Sequence, residues 1–402
     1  MLRFLSAGES HGQALVITID GMPAGLEIDI DDLNRQLRRR QGGYGRGRRM
    51  QIESDRAEIL AGVRKGRTTG APIAMLIRNR DWVNWQQTMH VEHDMPEGAS
   101  GTKRPEVTRP RPGHADLAGA LKYNFHDARY ILERASARET TSRVAVGALA
   151  KAYLAEFGIG VLSHVIAVGD ARLERQASWE ELVALSQRDE VLLGCVDAEA
   201  EQRMKAVVDE VYKTGDTVGG VFEVVAHGVP PGLGSHIAWD TRLDGKLAQA
   251  IVSMQAVKGV EVGFAAEGAA AFGSKVQDTI QYSRDKQEFT RGANRAGGLE
   301  GGMTNGQDIL VRGMLKPIST LRRPLESADL KTHEPALAAY ERSDVAVVPA
   351  AGVIGEAMVA IVLAQAFLEK FGGDSLEEIQ TAFRAERSRL IARLRSNSPE
   401  PA

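Results

Sequence analysis

The segment GESHG (Gly8–Gly12) sets His11 in a glycine-flanked turn just ahead of a strand-like run. A histidine placed there approaches a ligand closely and exchanges protons near neutral pH; a loop histidine bonded to local backbone is the alternative. TRPRPGHAD (Thr108–Asp116) carries Arg109, Arg111 and His114 on a loop that proline stiffens, so the basic groups stand ready for an anion. A rigid, solvated surface loop would look the same. In ERASARETTSR (Glu133–Arg143), Ala135, Ser136 and Ala137 sit between Arg134 and Arg138 at the expected start of a helix. Exposed N–H groups, a hydroxyl and flanking guanidiniums make an anion site, with an ordinary capped helix as the alternative.

The glycine-rich NRAGGLEGGMTNGQ (Asn294–Gln307) does not match the dinucleotide fingerprint G-x-G-x-x-G, but its backbone could lie flat against a ring or a phosphate. KPIST (Lys316–Thr320) adds an ammonium and two hydroxyls after a strand, a composition suited to phosphate. RSD (Arg342–Asp344) puts a cation and a carboxylate before a long apolar run. It reads either as a tuned proton acceptor or as a structural ion pair. HVEHD (His90–Asp94) is too loose a pattern for zinc and lacks a helical frame, so no metal site is expected.

Cations gather in RQLRRRQGGYGRGRR, where seven arginines fall between Arg35 and Arg49. The 402-residue chain carries a net charge of −3, so this is a local field and a dedicated nucleic-acid binder is disfavoured. With 43% hydrophobic and 26% charged residues, a large core is within reach. Cys195 is the sole cysteine, which excludes an internal disulfide framework and fits a reducing, cytoplasmic setting. The start of the chain has too short an apolar run for a signal peptide. Val345 to Phe367 is long enough to span a bilayer, but Pro349, Gly352, Gly355 and Glu356 interrupt it. A buried strand, turn and helix is expected there, and no membrane.

These groups need a frame. Ala14–Ile19 reads as a strand, followed by a helix with Asp31 or Asp32 as N-cap and Leu33 and Leu37 as an apolar i, i+4 pair. The end of that helix delivers Arg35, Arg38, Arg39 and Arg40, where the dipole favours cations. QIES and AEILAGV read as short strands, and residues 79–113 as a long irregular segment, functional or an interface. DLAGALKYNFHDARYILERAS and RETTSRVAVGALAKAYLAEFG read as helices; IGVLSHVIAVGD, GGVFEVVAHGVP and DILVRGMLKPIS read as strands. Strands and helices do not alternate strictly, so the predicted class is α+β. The architecture expected is a single-domain β-α-β sandwich, helices packed between mostly antiparallel sheets.

Taken in order, GESHG, RRRQGGYGRGRR, RPRPGHAD, ERASARET, GGLEGGMTNGQ, KPIST and RSDVAVVPAAGVIGE closely resemble chorismate synthase, from about Leu2 to Gly373, with the bacterial form most similar. The resemblance implies a catalytic domain over 1–373; beyond it, SLEEIQTAFRAERSRLIARL reads as an amphipathic helix over 374–395 and the end of the sequence as a disordered tail over 396–402. It implies 1,4-anti elimination of phosphate from 5-enolpyruvylshikimate 3-phosphate to give chorismate, a phosphate-lyase step of the shikimate pathway and aromatic amino acid biosynthesis. It also implies a requirement for reduced FMN without net redox change. Two carboxylates and a phosphate on one small ring call for several guanidinium forks. Arg40 and Arg46 come first, then Arg49, Arg109 and Arg138.

By the same resemblance, His11 is the acid beside the leaving phosphate, His114 lies by the flavin, and Asp344 belongs to the proton relay. FMN contacts map onto Arg134, Ala135, Ser136, Gln255, Ala256, Gly301, Lys316, Pro317, Ile318, Ser319, Thr320 and Arg342. NADP contacts map onto Arg40 and Arg46, with NADPH acting only indirectly, as the reductant of the flavin. The implied assembly is a homotetramer, and the reduced flavin comes either from an external flavin reductase, as in bacterial members generally, or from an intrinsic NADPH-dependent one. Segments 79–107 and 170–205 carry no recognised motif.

Two other classes compete. A flavin oxidoreductase would present much the same FMN site but would consume reductant in step with product. An RNA binder using GGYGRGRR would show binding that falls steeply with salt; the segment has one aromatic, Tyr44, and no repeated RGG units.

Overall fold

The computed structural model describes residues 1–46, 55–188, 191–284, 288–340 and 344–395. Its smaller sheet holds β1 (Arg3–Ala7), β2 (Ala14–Asp20), β3 (Ala57–Ala61) and β4 (Ile73–Arg78), in the order β1-β2-β4-β3. Leu15, Ile17 and Ile19 stand opposite Ile77, Met75 and Ile73, and all six are buried. Alternation along β2 thus turns one face wholly inward. The larger sheet is built from β5 (Gly160–Val168), β6 (Ala171–Arg172), β7 (Gly220–His227), β8 (Val257–Val262) and β9 (Ile309–Leu315), ordered β8-β9-β7-β5-β6. Every pairing in both sheets is antiparallel.

The longer helices are α1 (Ile30–Gln41), α2 (Asp116–Tyr123), α3 (Arg129–Ala135), α4 (Thr140–Ala155), α5 (Trp179–Ser186), α6 (Ala198–Thr214), α7 (Leu243–Val252), α8 (Val348–Phe371) and α9 (Leu376–Arg395). α1 and α4 lie against the smaller sheet, α8 lies against β5 and β7 of the larger one, and α4 packs on α8. One apolar cluster runs through the stack, from Ile17 and Leu37 through Leu149 to Phe222 and Leu363. This is the predicted sandwich.

Three local expectations need correction. Residues 345–367 are not a strand, turn and helix; α8 is one continuous helix from Val348. Pro349 sits in its first turn, where a missing N–H costs nothing. Gly352 and Gly355 make room for the larger sheet, since a Cβ on Gly355 would lie 2.5 Å from the Phe222 ring. Glu356 stays in the core because Arg39 (2.7 Å), Lys151 (2.6 Å) and Ser163 (2.8 Å) surround its carboxylate. Packing overrides the local signals. α8 is long and apolar enough to cross a membrane, yet 89% of its most apolar window is buried within this fold.

α1 is capped by Asp29 rather than Asp31 or Asp32; the Asp29 carboxylate accepts the Asp31 N–H at 2.8 Å. The helical run after Asp116 breaks at Asn124, which is left-handed (φ 58°). Ser136 therefore closes α3, and its hydroxyl caps a single 3-10 turn, Ala137–Glu139, that leads into α4. The strand expected at QIES and the tail 396–402 lie outside the described residues.

Candidate active site

Gly8 has φ +113°, and a Cβ there would lie 2.4 Å from the Ala14 carbonyl, so only glycine closes this β1–β2 turn. The turn brings His11 to α3. His11 Nδ1 lies 2.9 and 3.0 Å from the two carboxylate oxygens of Glu133, and the His11 backbone N–H donates to the same group at 2.9 Å. The ring stacks on Trp85 with centroids 3.6 Å apart. Arg129 approaches Glu133 from behind at 3.2 Å. Burial alone would push the Glu133 carboxyl up; hydrogen bonds from His11 and the Arg129 charge hold it below its usual value.

The next layer carries the arginines. Arg134 donates to the carbonyls of Ser6 (2.9 Å) and Gly8 (3.1 Å), while the Ser136 hydroxyl meets that of Ser10 at 3.1 Å. Arg40 donates to the Thr140 hydroxyl (2.9 Å) and the Ala137 carbonyl (2.8 Å). Buried Asp55 accepts from Arg138 at 2.9 Å and stands 3.9 Å from Arg40, so one carboxylate balances two of the predicted substrate arginines.

A second half assembles around His114. Its Nδ1 lies 2.5 Å from Asp116, which Arg111 grips with two nitrogens at 2.8 and 3.1 Å. Arg111 also donates to the Thr320 hydroxyl at 3.0 Å. Burial would raise the Asp116 carboxyl, but bonds from His114 and Arg111 hold it far below the usual carboxylate range. The Lys316 ammonium donates to the Gly113 carbonyl and the Lys316 N–H to the Ala256 carbonyl, both at 3.0 Å. Ala256 is held at φ +68°. Gln255 donates to Glu139 at 3.3 Å, so Gln255 and Ala256 join the Ser136 side of the site to the Lys316 side. The Ile318 carbonyl accepts from Thr217 at 2.8 Å, fixing the 316–320 loop.

The remaining predicted residues divide. Arg46 pairs with Asp344 at 3.1 Å. Arg109 is exposed, its carbonyl accepting the Ala339 N–H. Gly301 turns a hairpin (Leu299–Glu300 with Met303–Thr304) beside His236; among the described residues it bonds to none of the other predicted ones. Arg49 and Arg342 lie outside the described residues. Reasoning from sequence missed Glu133, Asp116, Asp55 and Trp85. Glu133 and Asp116 stand inside the quoted motifs, but Trp85 falls in the segment without one.

Sequence comparison decides the lineage: the model of the chorismate synthase family matches residues 2–368. The chain belongs to the chorismate synthase family. A chorismate synthase of Solibacter usitatus is 77% identical over 95% of this chain and 97% of its own length. Those of Koribacter versatilis and Aquifex aeolicus are 66% and 52% identical, over 94% and 95% of this chain and 97% and 96% of theirs. A crystal structure of chorismate synthase superposes with a TM-score of 0.77 at 42% identity, covering 97% of this chain and 98% of the other. In this chorismate synthase fold, both histidines are supplied by the turns next to α3 and α2, and Arg40 and Arg138 by α1 and the α3–α4 junction.

Proposed function

We propose that the chain eliminates phosphate from 5-enolpyruvylshikimate 3-phosphate in the 1,4-anti sense to give chorismate, as a carbon–oxygen lyase of the shikimate pathway. The carrying observation is that family membership extends over the region holding two carboxylate-anchored histidines beside a set of buried arginines. Arg40, Arg46, Arg109 and Arg138, with Arg49, would bind the carboxylates and phosphate, because guanidinium forks fix orientation as well as charge. His11 would give a proton to the departing phosphate, stabilising charge as it develops there. Asp344 would take part in the proton relay, with Arg46 holding its carboxylate in place. His114 would stand by the cofactor.

The residues present fit reduced FMN. Gln255 Oε1 is buried with no hydrogen-bond partner among the described residues, an acceptor aimed at a donor the chain does not supply. Burial, then the nearby Lys258, pushes the Lys316 ammonium below its usual value, and its partner is a carbonyl rather than a carboxylate. Such an ammonium suits a phosphate. Arg134, Ala135 and Ser136, Lys316 through Thr320 with Pro317, Ile318 and Ser319, and Gly301 and Arg342 would complete the contacts. When bound, reduced FMN supplies electron density that assists cleavage of the ring C–O bond and regains it by the end of the turnover. We further propose a cytoplasmic homotetramer, with NADPH only indirectly the source of reduced flavin, and Arg40 and Arg46 as the positions where the family would place NADP.

An anaerobic assay with photoreduced FMN, following chorismate and flavin redox state together, tests this. Many turnovers per flavin, ending with the flavin reduced, are expected. Flavin oxidised one-for-one with product would establish an oxidoreductase instead.

A further inference from the structure

We infer that Glu133 and Trp85 are positioning residues for His11: they clamp its ring so that Nε2 is the nitrogen presented to the leaving phosphate. This rests on the elimination proposed above. Glu133 is buried and ionised, and an ionised carboxylate only accepts, so the Nδ1 facing it at 2.9 Å must carry the proton. The same carboxylate takes the backbone N–H of His11 at 2.9 Å, so main chain and ring are tied to one anchor. Against the upward push of burial, the His11 hydrogen bonds hold that anchor below its usual value, and Arg129 at 3.2 Å adds a smaller share.

Trp85 restrains the ring across its face, with planes 21° apart. Turning the imidazole over about Cβ–Cγ would put Cδ2 where Nδ1 stands and lose the Glu133 bonds, and the ring would have to leave the Trp85 stack on the way. Trp85 is itself fixed: its indole N–H donates to Asp81 at 2.8 Å, and the Arg104 guanidinium lies 3.8 Å from its ring centroid. The segment without a motif therefore has a role, to bring one flat wall to His11. Glu133 stands next to Arg134 and Ala135 on α3, so the anchor for the acid and the expected flavin contacts share one rigid element. The His114–Asp116–Arg111 group repeats the carboxylate-and-arginine device within the same chain.

The test compares Glu133→Gln, Trp85→Ala and Trp85→Phe with His11→Ala, alone and combined, measuring kcat, KM, flavin dissociation constant and Tm. Glu133→Gln is expected to lower kcat by about 10–100-fold, the loss seen when the carboxylate holding a metal-bound imidazole is removed, with KM and flavin affinity unchanged. Trp85→Ala should lower kcat, and Trp85→Phe should recover most of it. Adding Glu133→Gln to His11→Ala should cost nothing more, because a residue acting through His11 has nothing left to orient. Full turnover in Glu133→Gln, or an equal loss with and without His11, would overturn the inference, as would a kcat loss matched by lost flavin binding and Tm. Absence of chorismate from the parent enzyme would sink the functional reading instead, and parental turnover in His11→Ala would sink the role of His11.

Discussion

Both histidines meet the same arrangement at Nδ1, a buried carboxylate backed by an arginine. His11→Ala and His114→Ala should each lower turnover by about 10²–10⁴-fold, the range for a general acid or base. Steady-state rates at saturating flavin check this, and near-parental turnover would remove that residue from the mechanism. Arg46 differs in kind. It lies on the loop after α1 and pairs with Asp344, the two side chains 11% and 21% exposed, so the pair is not fully desolvated. Arg46→Ala should therefore raise KM clearly while shifting Tm little. A large fall in Tm with unchanged substrate affinity would contradict that.

At the scale of elements, the contact between α4 and α8 depends on Gly147. A Cβ there would lie 2.2 Å from the Cβ of Ala357 and 2.4 Å from its Cα. On an isolated helix, glycine to alanine gains about 1 kcal/mol. Here overpacking should cost about 1–3 kcal/mol and set the sign, because the obstructing atoms belong to another helix's backbone. Gly147→Ala is expected to lower the denaturant midpoint; a higher midpoint would mean the two helices can part without loss. α1 sorts its arginines by phase alone. Arg35 pairs with Asp32 on the surface, Arg38 is exposed, Arg39 enters the core, and Arg40 reaches the α3–α4 junction.

Across the whole molecule, Glu356 ties four elements together: α8, α1 through Arg39, α4 through Lys151 and β5 through Ser163. Glu356→Gln would leave two buried cations without their anion, a change that costs about 3–5 kcal/mol when a buried pair is broken. Burial would raise this carboxyl, yet Arg39 and Lys151 bring it from 4.5 down to about 2. A depressed folded value means the stabilisation is complete above the unfolded value and drains away as pH falls through about 2. The stability gap between parent and Glu356→Gln should therefore be widest at neutral pH and narrow through the acid range. Denaturant titrations at a series of pH values measure it; a gap that stays constant down to the acid limit would contradict the ion-pair account.

The sequence by itself determined the family and the layout. Period-two runs such as ALVITID, the Leu33–Leu37 pair and the motifs from GESHG to KPIST are each written in neighbouring residues, and local sterics and burial read them directly. Tertiary structure decided what each charged group does. Arginine is one letter whether it binds an anion or closes a core ion pair, and the choice depends on which elements cross it. Arg39 meets a carboxylate 317 positions away, and His11 meets one 122 positions away. α8 shows the same limit in its backbone. Pro349, two glycines and Glu356 signal interruption locally, but a helix enclosed by α1, α4, α7 and a sheet finds a partner or a space for each of them. Spacing along the chain encodes the faces of elements; the partners across those faces exist only once the elements pack.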